Sequence, residues 1–464
     1  MRNRRANVMN VDRTMAYMKA KGLSYLLPAV TGNGKVLETL IDTLRNRAKA
    51  KALAVRKNQD PEKQQIAGES MDMFFEMVKR NLPRLSSQTQ RRLAFNMFFN
   101  HLTLGQEVRD QYTATYGEPP PFLLVISPSM KCNLKCFGCY AAEYDKTQEL
   151  SREEVSRIIR EAKEELGVYF ITISGGEPTI WPHLFDIAEE HNDVFFQVYT
   201  HGMMIDDAMA KKMARLGNVH PAISIEGGPR ETDDRRGKNA YARILAAMDR
   251  LKREGVLFGF SVTHTTKNHH AIINEEFIDE LVRHGPAFGW YFQYLPTGRN
   301  PDPALIPTAR QRLERFEAVE KFRRTRPIVV YDFWNDGEAT EGCLAWGRKY
   351  LHVTPSGMVE PCVFIHMATH NIRDHSLVEI LNSPCFKEAR SMQPFNEDHR
   401  RPCCIIDNPE KLQLLYEKYH LTPTHEGGER IVTELHDTLV RNCRAYQDEL
   451  ERLDAARQKV VHSA

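Results

Sequence analysis

Three cysteines fall within eight residues, in Lys131-Cys132-Asn133-Leu134-Lys135-Cys136-Phe137-Gly138-Cys139-Tyr140. Thiolates are soft ligands for iron–sulfur clusters or zinc, and three on one short loop can hold three irons of a cubane while its fourth corner stays open. An exchangeable iron of that kind can chelate a small molecule and pass it an electron; the alternative is a zinc site that takes its last ligand from elsewhere. Further along, Ser174-Gly175-Gly176-Glu177-Pro178 joins two glycines, which permit positive φ and close approach of a ligand to backbone, to an acidic acceptor. Ser224 and Glu226 share one face of an extended segment at period two. Just beyond lies Asp234-Arg235-Arg236-Gly237, where a planar guanidinium could pair with a carboxylate. A second group of thiols begins at Cys343, with thirteen residues before Gly357 and four more before Cys362. That spacing sets two thiols across a short hairpin whose turn needs glycine. Cys385, Cys403 and Cys404 follow, and Cys443 reads as core on the apolar side of the last helix.

These residues must be positioned by regular elements. Apolar, β-rich runs at Phe122–Ile126, Val168–Ile173, Val194–Tyr199, Ala222–Ile225, Val256–Val262 and Phe288–Tyr294 alternate with helical periodicity near 151–166, 203–216, 239–254 and 272–284. Such alternation means a parallel α/β sheet, open or curved into part of a barrel. Parallel sheets carry chemistry on the loops after the C-terminal ends of their strands. The motifs fall there: Cys132–Cys139 after the first run, Gly175–Glu177 after the second, His201–Gly202 after the third and Glu226–Gly227 after the fourth. Before Pro119–Pro121, a stiff break, residues 8 to about 115 read as helices. Apolar sets there include Val36, Leu37, Leu40, Ile41 and Leu44, then Phe74, Phe75, Met77 and Val78, then Phe95, Phe98, Phe99 and Leu102. A helix near 308–325 leads into the cysteine-bearing segment 342–404, with a hairpin expected from Leu351–Val353 and Met358–Val363, and helices close the chain after Pro409. The expected divisions are 1–118, 119–305, 306–410 and 411–464.

Composition narrows the function classes. The chain has 464 residues, 42% hydrophobic and 27% charged, an ordinary globular balance. No apolar run reaches the roughly 18 residues of a spanning helix, and the basic start Arg2–Arg5 lacks a following signal core, so a cytoplasmic protein is expected. In a reducing compartment its nine cysteines suit metal or catalysis better than disulfides. Residues 2–57 hold thirteen Lys or Arg against Asp12, Glu38 and Asp42. Such basic helices can lie peripherally on an anionic membrane, or form a solvated covering layer; aromatic residues are not interleaved with the charge, so nucleic acid is not an expected partner. No Walker loop, GxGxxG or HExxH occurs. The histidines at 264, 269, 270, 366, 370 and 375 read as packing rather than as a metal site.

CxxxCxxC after the first strand of a βα array, in register with Gly175-Gly176-Glu177-Pro178, resembles the radical S-adenosylmethionine (radical SAM) superfamily over residues 121–300. The resemblance implies a partial (β/α)6 parallel barrel, with the helical extension before it and a small cysteine-rich α+β module after it. It implies that Cys132, Cys136 and Cys139 bind a [4Fe–4S] cluster whose open iron chelates S-adenosylmethionine. An electron, supplied by a reductant such as flavodoxin or ferredoxin, then yields a 5′-deoxyadenosyl radical that takes hydrogen from a substrate. By the same resemblance Gly175, Gly176 and Glu177 grip the methionine amino group, Ser224 and Glu226 meet the ribose, and Arg235 or its neighbour Arg236 faces the carboxylate. Glu226 stands where Asp is commoner, and His201 where relatives carry Asn. Gly138 replaces an aromatic residue or His, leaving adenine contact to backbone or to Tyr140. The Cys343–Gly357–Cys362 spacing is similar to the first half of a SPASM or twitch extension, which implies an auxiliary [4Fe–4S] cluster on Cys343, Cys362 and Cys403, since adjacent cysteines point apart in most backbone conformations. The fourth ligand is open, with Cys385 and Cys404 as candidates. Oxidative or bond-forming modification of a peptide, protein or small metabolite is the expected chemistry. The alternatives are a membrane lipid substrate, or an iron–sulfur electron carrier that cleaves nothing. Tyr291, Gln293, Tyr294, Arg299, Trp346 and Arg348 are candidate pocket residues.

Overall fold

The computed structural model describes residues 34–55 and 61–462, together with Gly22. Arg2–Arg5 and the helix expected from residue 8 lie outside the described residues, as do the side chains of Val36, Leu37 and Leu40. The expected runs become parallel strands β1 (Leu124–Ile126), β2 (Phe170–Ile173), β3 (Phe195–Thr200), β4 (Val219–Ser224), β5 (Gly259–His264) and β6 (Phe288–Gln293). They lie side by side in chain order, with registers such as Val125↔Thr172 and Phe260↔Gly289.

Both faces of this sheet are buried, which is why its strands read as unbroken apolar runs. Alternate residues serve different layers. Ile171, Ile173, Phe196 and Val198 join the core under the crossover helices, whereas Phe170 and Phe195 join a second core on the inner face. The helix Arg152–Leu166 shows how the outer layer is set. Ser151 and Glu154 form a reciprocal capping box, Gly167 ends the helix at φ 64°, and Val155, Ile158, Ile159 and Ala162 are fully buried against the sheet.

The N-terminal helices Gly34–Val55, Pro61–Asn81, Ser87–Leu93 and Gly105–Tyr116, with π-type turns over Ala94–Leu104, close the end of the sheet at which its strands begin, and Pro61–Asn81 also reaches β7 (Val329–Asp332) and the helix Gly337–Thr340 after it. Ile41, Phe75, Val78, Leu82 and Leu93 pack on Phe170, Phe195 and Phe288, each the first residue of its strand. Polar side chains tie down the loops that enter the strands: Arg109 Nη1 donates to Gly167 O at 2.6 Å, and Asn96 Nδ2 donates to Val194 O at 2.9 Å. Much of the described basic charge here is spent internally. Lys49 pairs with Asp72, Lys79 with Glu38, and Arg45 with Asp42.

Two features depart from the expected six-strand core ending at 305. The helix Ala309–Thr325 leads into a seventh parallel strand, β7 (Val329–Asp332), which pairs with β6, so the sheet runs past residue 305. At the opposite edge, the expected hairpin forms as β8 (His352–Val353) and β9 (Val359–Glu360), and β8 pairs parallel with β1. The cysteine-rich module is thus built onto the core sheet rather than beside it, in the order β7-β6-β5-β4-β3-β2-β1-β8-β9. Gly357, at φ 84°, makes the hairpin turn, and a Cβ there would meet Asn371 Oδ1 at 2.4 Å. No described helix is long and apolar enough to cross a membrane.

Candidate active site

The cysteine loop leaves the C-terminal end of β1 with all three thiols partly accessible. Burial pushes the Cys132 and Cys139 thiols up, and the Leu134 amide, 3.4 Å from Cys132 Sγ, works against it. The Gly-Gly segment after β2 is pressed onto this loop. Gly176 N donates to Ser129 O at 3.0 Å and Glu177 N to Lys131 O at 2.9 Å. A Cβ on Gly175, whose φ is +120°, would lie 2.3 Å from Ser129 O, and one on Gly176 would lie 2.3 Å from Lys131 O. Only glycine permits that approach. Glu177, with no exposed side-chain surface, is turned inward. Its Oε1 accepts from Thr179 Oγ1 and Thr200 Oγ1, each at 2.6 Å, and its Oε2 accepts from His201 N at 2.9 Å. It welds the loops after β2 and β3 rather than presenting an open acceptor. His201 Nδ1 accepts from Met203 N, so its proton sits on Nε2, which donates to Asn133 Oδ1 at 2.8 Å inside the cysteine loop. Burial lowers the pKa of this imidazole.

Glu226, beyond β4, is buried between two guanidinium groups. Arg236 donates to Oε1 through Nε at 3.0 Å and also through Nη2, while Arg235 Nη1 lies 2.8 Å from Oε2. Arg235 also reaches the carbonyls of Phe137 and Gly138, at 3.3 and 3.4 Å. The segment 229–236 is a helix, and both arginines sit in its last turn, where the helix dipole favours positive charge. Ser224 Oγ is 3.2 Å from Ser261 Oγ on the neighbouring strand. Tyr140 Oη is 2.7 Å from Ser174 Oγ, with burial pushing its pKa up to about 12.

A second pocket lies beyond the cysteine loop, lined by Cys343, Cys362, Cys403 and Cys404 together with Trp334 and Tyr350. Both adjacent cysteines face it, contrary to the expectation that Cys403 and Cys404 point apart. Residues 403–407 form a tight turn, with Asp407 N donating to Cys403 O at 3.1 Å, so successive side chains do not alternate as on a strand. Cys385 is buried in the helix Pro384–Ser391 and does not line the pocket. Aromatic rings join the two thiol sites: Tyr140 meets Phe364 at 5.6 Å, and Phe364 meets Trp334 at 5.1 Å.

Residues 126–283 match the radical SAM superfamily and residues 343–405 the SPASM iron–sulfur cluster-binding domain. The chain is a radical SAM enzyme with a SPASM extension. PqqA peptide cyclase of Gluconobacter oxydans is 27% identical over 306 residues, covering 63% of this chain and 84% of that protein. AdoMet-dependent heme synthase of Methanosarcina barkeri is 28% identical over 301 residues, covering 58% and 85%. Among solved structures, Streptococcus suis SuiB bound to the precursor peptide SuiA superposes with a TM-score of 0.53 at 19% identity, covering 63% of this chain and 72% of that one, a likeness of fold.

The radical SAM cofactors fit the donor sets present. Three accessible thiols on one loop suit a [4Fe–4S] cluster with an open corner, and four buried thiols with no carboxylate or imidazole in the pocket lining suit the auxiliary cluster. Among the described residues no three His, Cys, Asp or Glu side chains converge as they would on a single metal ion. Gly138, at φ +60°, has its side-chain space filled by Tyr294, whose Cε2 would stand 2.6 Å from a Cβ there. Arg299 N donates to Cys139 O at 3.0 Å, so the exit of β6 also braces the cluster loop. The other expected pocket residues are structural. Tyr291 Oη donates to Ile272 O, Gln293 accepts from Arg315, Trp346 is fully buried, and Arg348 holds the carbonyls of Thr340, Glu341 and Cys343.

His264 and His269 are spoken for as well. Arg315 Nη1 can only donate, so His264 Nδ1 accepts at 3.0 Å; His264 Nε2 then donates to His269 Nδ1, and His269 Nε2 to Glu314. Sequence reasoning missed Trp334 and Phe364, for which no local signal exists, and left Cys404 open because contact across 61 residues from Cys343 is not written in spacing.

Proposed function

We propose that this radical SAM enzyme carries out an oxidative, bond-forming modification of a peptide. The observation that carries the reading is the second thiol pocket, docked on the same sheet as the cysteine loop and joined to it through Tyr140, Phe364 and Trp334. A reaction that returns no electron to its cofactor has no need of a second redox site, whereas one that forms a bond must dispose of an electron and a proton from the substrate. Relatives named for peptide cyclisation supply the peptide.

When bound, the first cluster and S-adenosylmethionine supply a hydrogen-abstracting radical, the auxiliary cluster supplies an acceptor for the departing electron, and a flavodoxin- or ferredoxin-class protein is the expected reductant. The chain's own residues do the positioning. Cys132, Cys136 and Cys139 hold the first cluster. Gly175 and Gly176 bring backbone to the methionine end without a side chain in the way, and Glu177 keeps that segment in place from behind. Glu226, Ser224, Arg235 and Tyr140 surround the nucleoside and carboxylate, with Arg236 fixing the Glu226 carboxylate. Cys343, Cys362 and Cys403 bind the auxiliary cluster.

A small apolar metabolite is the second reading. Tyr199, Trp290, Phe292 and Tyr331 form a half-buried aromatic wall on the inner face, with ring centroids 4.5–6.0 Å apart, and one relative is named a heme synthase. A lipid substrate docked through the N-terminal helices has no such support, since Ile41, Phe75, Val78 and Leu82 of those described helices are buried in the protein's own core.

The test is anaerobic reconstitution, iron and sulfide counting, and a dithionite-driven assay for 5′-deoxyadenosine, beside a Cys132, Cys136 and Cys139 to Ala triple variant. About eight irons are expected in the parent, with cleavage lost in the variant. Mass spectrometry of candidate peptides should then show loss of two hydrogens. Iron without cleavage would replace the enzyme reading by an electron carrier, and cleavage accelerated by planar metabolites but by no peptide would favour the second reading.

A further inference from the structure

The chain lacks a regular series of cysteines after Cys362, so the ligands of the auxiliary cluster must be found from contacts. Four thiols remain beyond Cys343 and Cys362, at 385, 403, 404 and 443. Cys443 is already engaged, its Sγ donating to Asp407 O at 3.0 Å and accepting from Arg401 Nη2 at 3.3 Å. Cys385 shares a hydrophobic cluster with Cys343 and Cys362 but does not line their pocket, and it sits beside Glu388 on its own helix.

Cys403 and Cys404, by contrast, both border the pocket that holds Cys343 and Cys362. The Cys343 and Cys404 thiols lie within hydrogen-bonding reach of one another. Backbone amides aim at these sulfurs too: Ile405 N lies 3.3 Å from Cys403 Sγ, with Ala345 serving Cys343 and Phe364 serving Cys362. N–H donors to ligating sulfur are the usual surroundings of an iron–sulfur cluster and help to set its potential.

The tandem pair is held by a buried anchor. Asp407 Oδ2 accepts from Cys403 N at 3.0 Å, and Arg312 donates to both Asp407 oxygens, so the turn that aims two successive side chains the same way is fixed before any cluster arrives.

We propose that Cys343, Cys362, Cys403 and Cys404 together ligate one auxiliary [4Fe–4S] cluster, the adjacent Cys403 and Cys404 filling two of its corners and Cys385 and Cys443 none. The proposal rests on the reading that the second pocket holds such a cluster. Its consequence is that every iron of that cluster carries a protein thiolate. No corner is left for a substrate atom, so the cluster can exchange electrons but not bind the reacting group.

The test uses the full-length chain with Cys132, Cys136 and Cys139 changed to Ala, so that iron and the EPR signal of the dithionite-reduced protein report the auxiliary site alone. About four irons are expected in this background. Adding Cys385→Ala or Cys443→Ala should leave iron and spectrum unchanged. Adding Cys403→Ala or Cys404→Ala should remove most of the iron or leave a three-iron signal on oxidation. Cys404→Ser, which can still ligate through oxygen, should keep iron with shifted g values, and circular dichroism confirms folding of each variant. Full iron and an unshifted spectrum in Cys404→Ala and Cys404→Ser, or loss of iron in a folded Cys385→Ala protein, overturns the ligand set. A folded background that binds no iron at all overturns the auxiliary-cluster reading itself, a distinct result.

Discussion

Gly176 has a φ that any residue can adopt, so its role is spatial: a Cβ there would stand 2.3 Å from Lys131 O and 2.5 Å from Met130 O. Neither neighbour is a side chain that can swing away; both are backbone of the cysteine loop, which would have to move. Gly176→Ala should therefore displace the three thiols while leaving the distant core intact, at a cost of about 1–3 kcal/mol. Iron at the first site should fall and 5′-deoxyadenosine formation drop by at least about tenfold, whereas auxiliary iron stays; a variant that cleaves at the parent rate would refute this contact. The motif is legible in the sequence because cysteine spacing and paired glycines are local features. Its surroundings are less so. That Tyr294 fills the space above Gly138 and that Glu177 is consumed by Thr200 and His201 are contacts made across tens of residues, and nothing in the intervening sequence marks them.

At the level of elements, the cap of helices over the strand beginnings contains a built-in acid sensitivity. His101 sits edge-on to Phe122 at 4.3 Å and His220 stacks on Phe195 at 4.1 Å, both fully buried, each with an Nε2 that has no partner. Burial lowers each imidazole pKa to about 3 from a usual 6.5, with Arg109 adding to the effect at His101. A folded-state pKa below the unfolded one means that the unfolded chain binds protons first. The stability is then present in full above about pH 6.5 and lost as pH falls toward 3, by about 1.4 kcal/mol per unit for each group. The urea midpoint should decline between pH 7 and 5, and His220→Phe should make the decline shallower by one proton; an equally steep decline in that variant would remove His220 from the account. The sheet behind this cap is largely legible, since strands buried on both faces announce themselves as apolar runs. β7 is not, because Val329–Asp332 is short, follows an arginine-rich helix and ends on an Asp that is buried only because Arg315 pairs with it. Nor is the pairing of β8 with β1, which two residues of strand cannot specify by pattern.

Across the whole molecule the two ends of the sheet have different duties. The strand beginnings are closed by the N-terminal helices, while the strand ends carry the cysteine loop, the Gly-Gly segment and Glu226. Strand β1, paired with β2 on one side and β8 on the other, couples this working end to the second thiol pocket. Ser127, directly after β1, meets His352 Nε2 at 2.7 Å, and His352 Nδ1 meets Glu360 at 2.7 Å, all fully buried. That line resembles a hydrolytic Ser-His-acid array in its contacts, yet a serine with no exposed surface can attack nothing; it works as a clasp between hairpin and core. A division of labour of this kind predicts that damage at the closed end costs stability without touching chemistry. Phe75 is the sharpest probe, being 4% exposed and packed on the first residues of several strands. Phe75→Ala should lower the unfolding free energy by about 3–5 kcal/mol, the cost of a large cavity in a core that cannot fully collapse. Measured per folded molecule, 5′-deoxyadenosine formation should nonetheless remain within about twofold of the parent, because the ring of Phe75 packs on Phe74 and Phe98 within the helical cap. A cleavage rate that falls steeply while the protein stays folded would mean instead that the helical cap takes part in shaping the site from below, through the inner-face aromatics Tyr199, Trp290 and Tyr331 that pack against the same core.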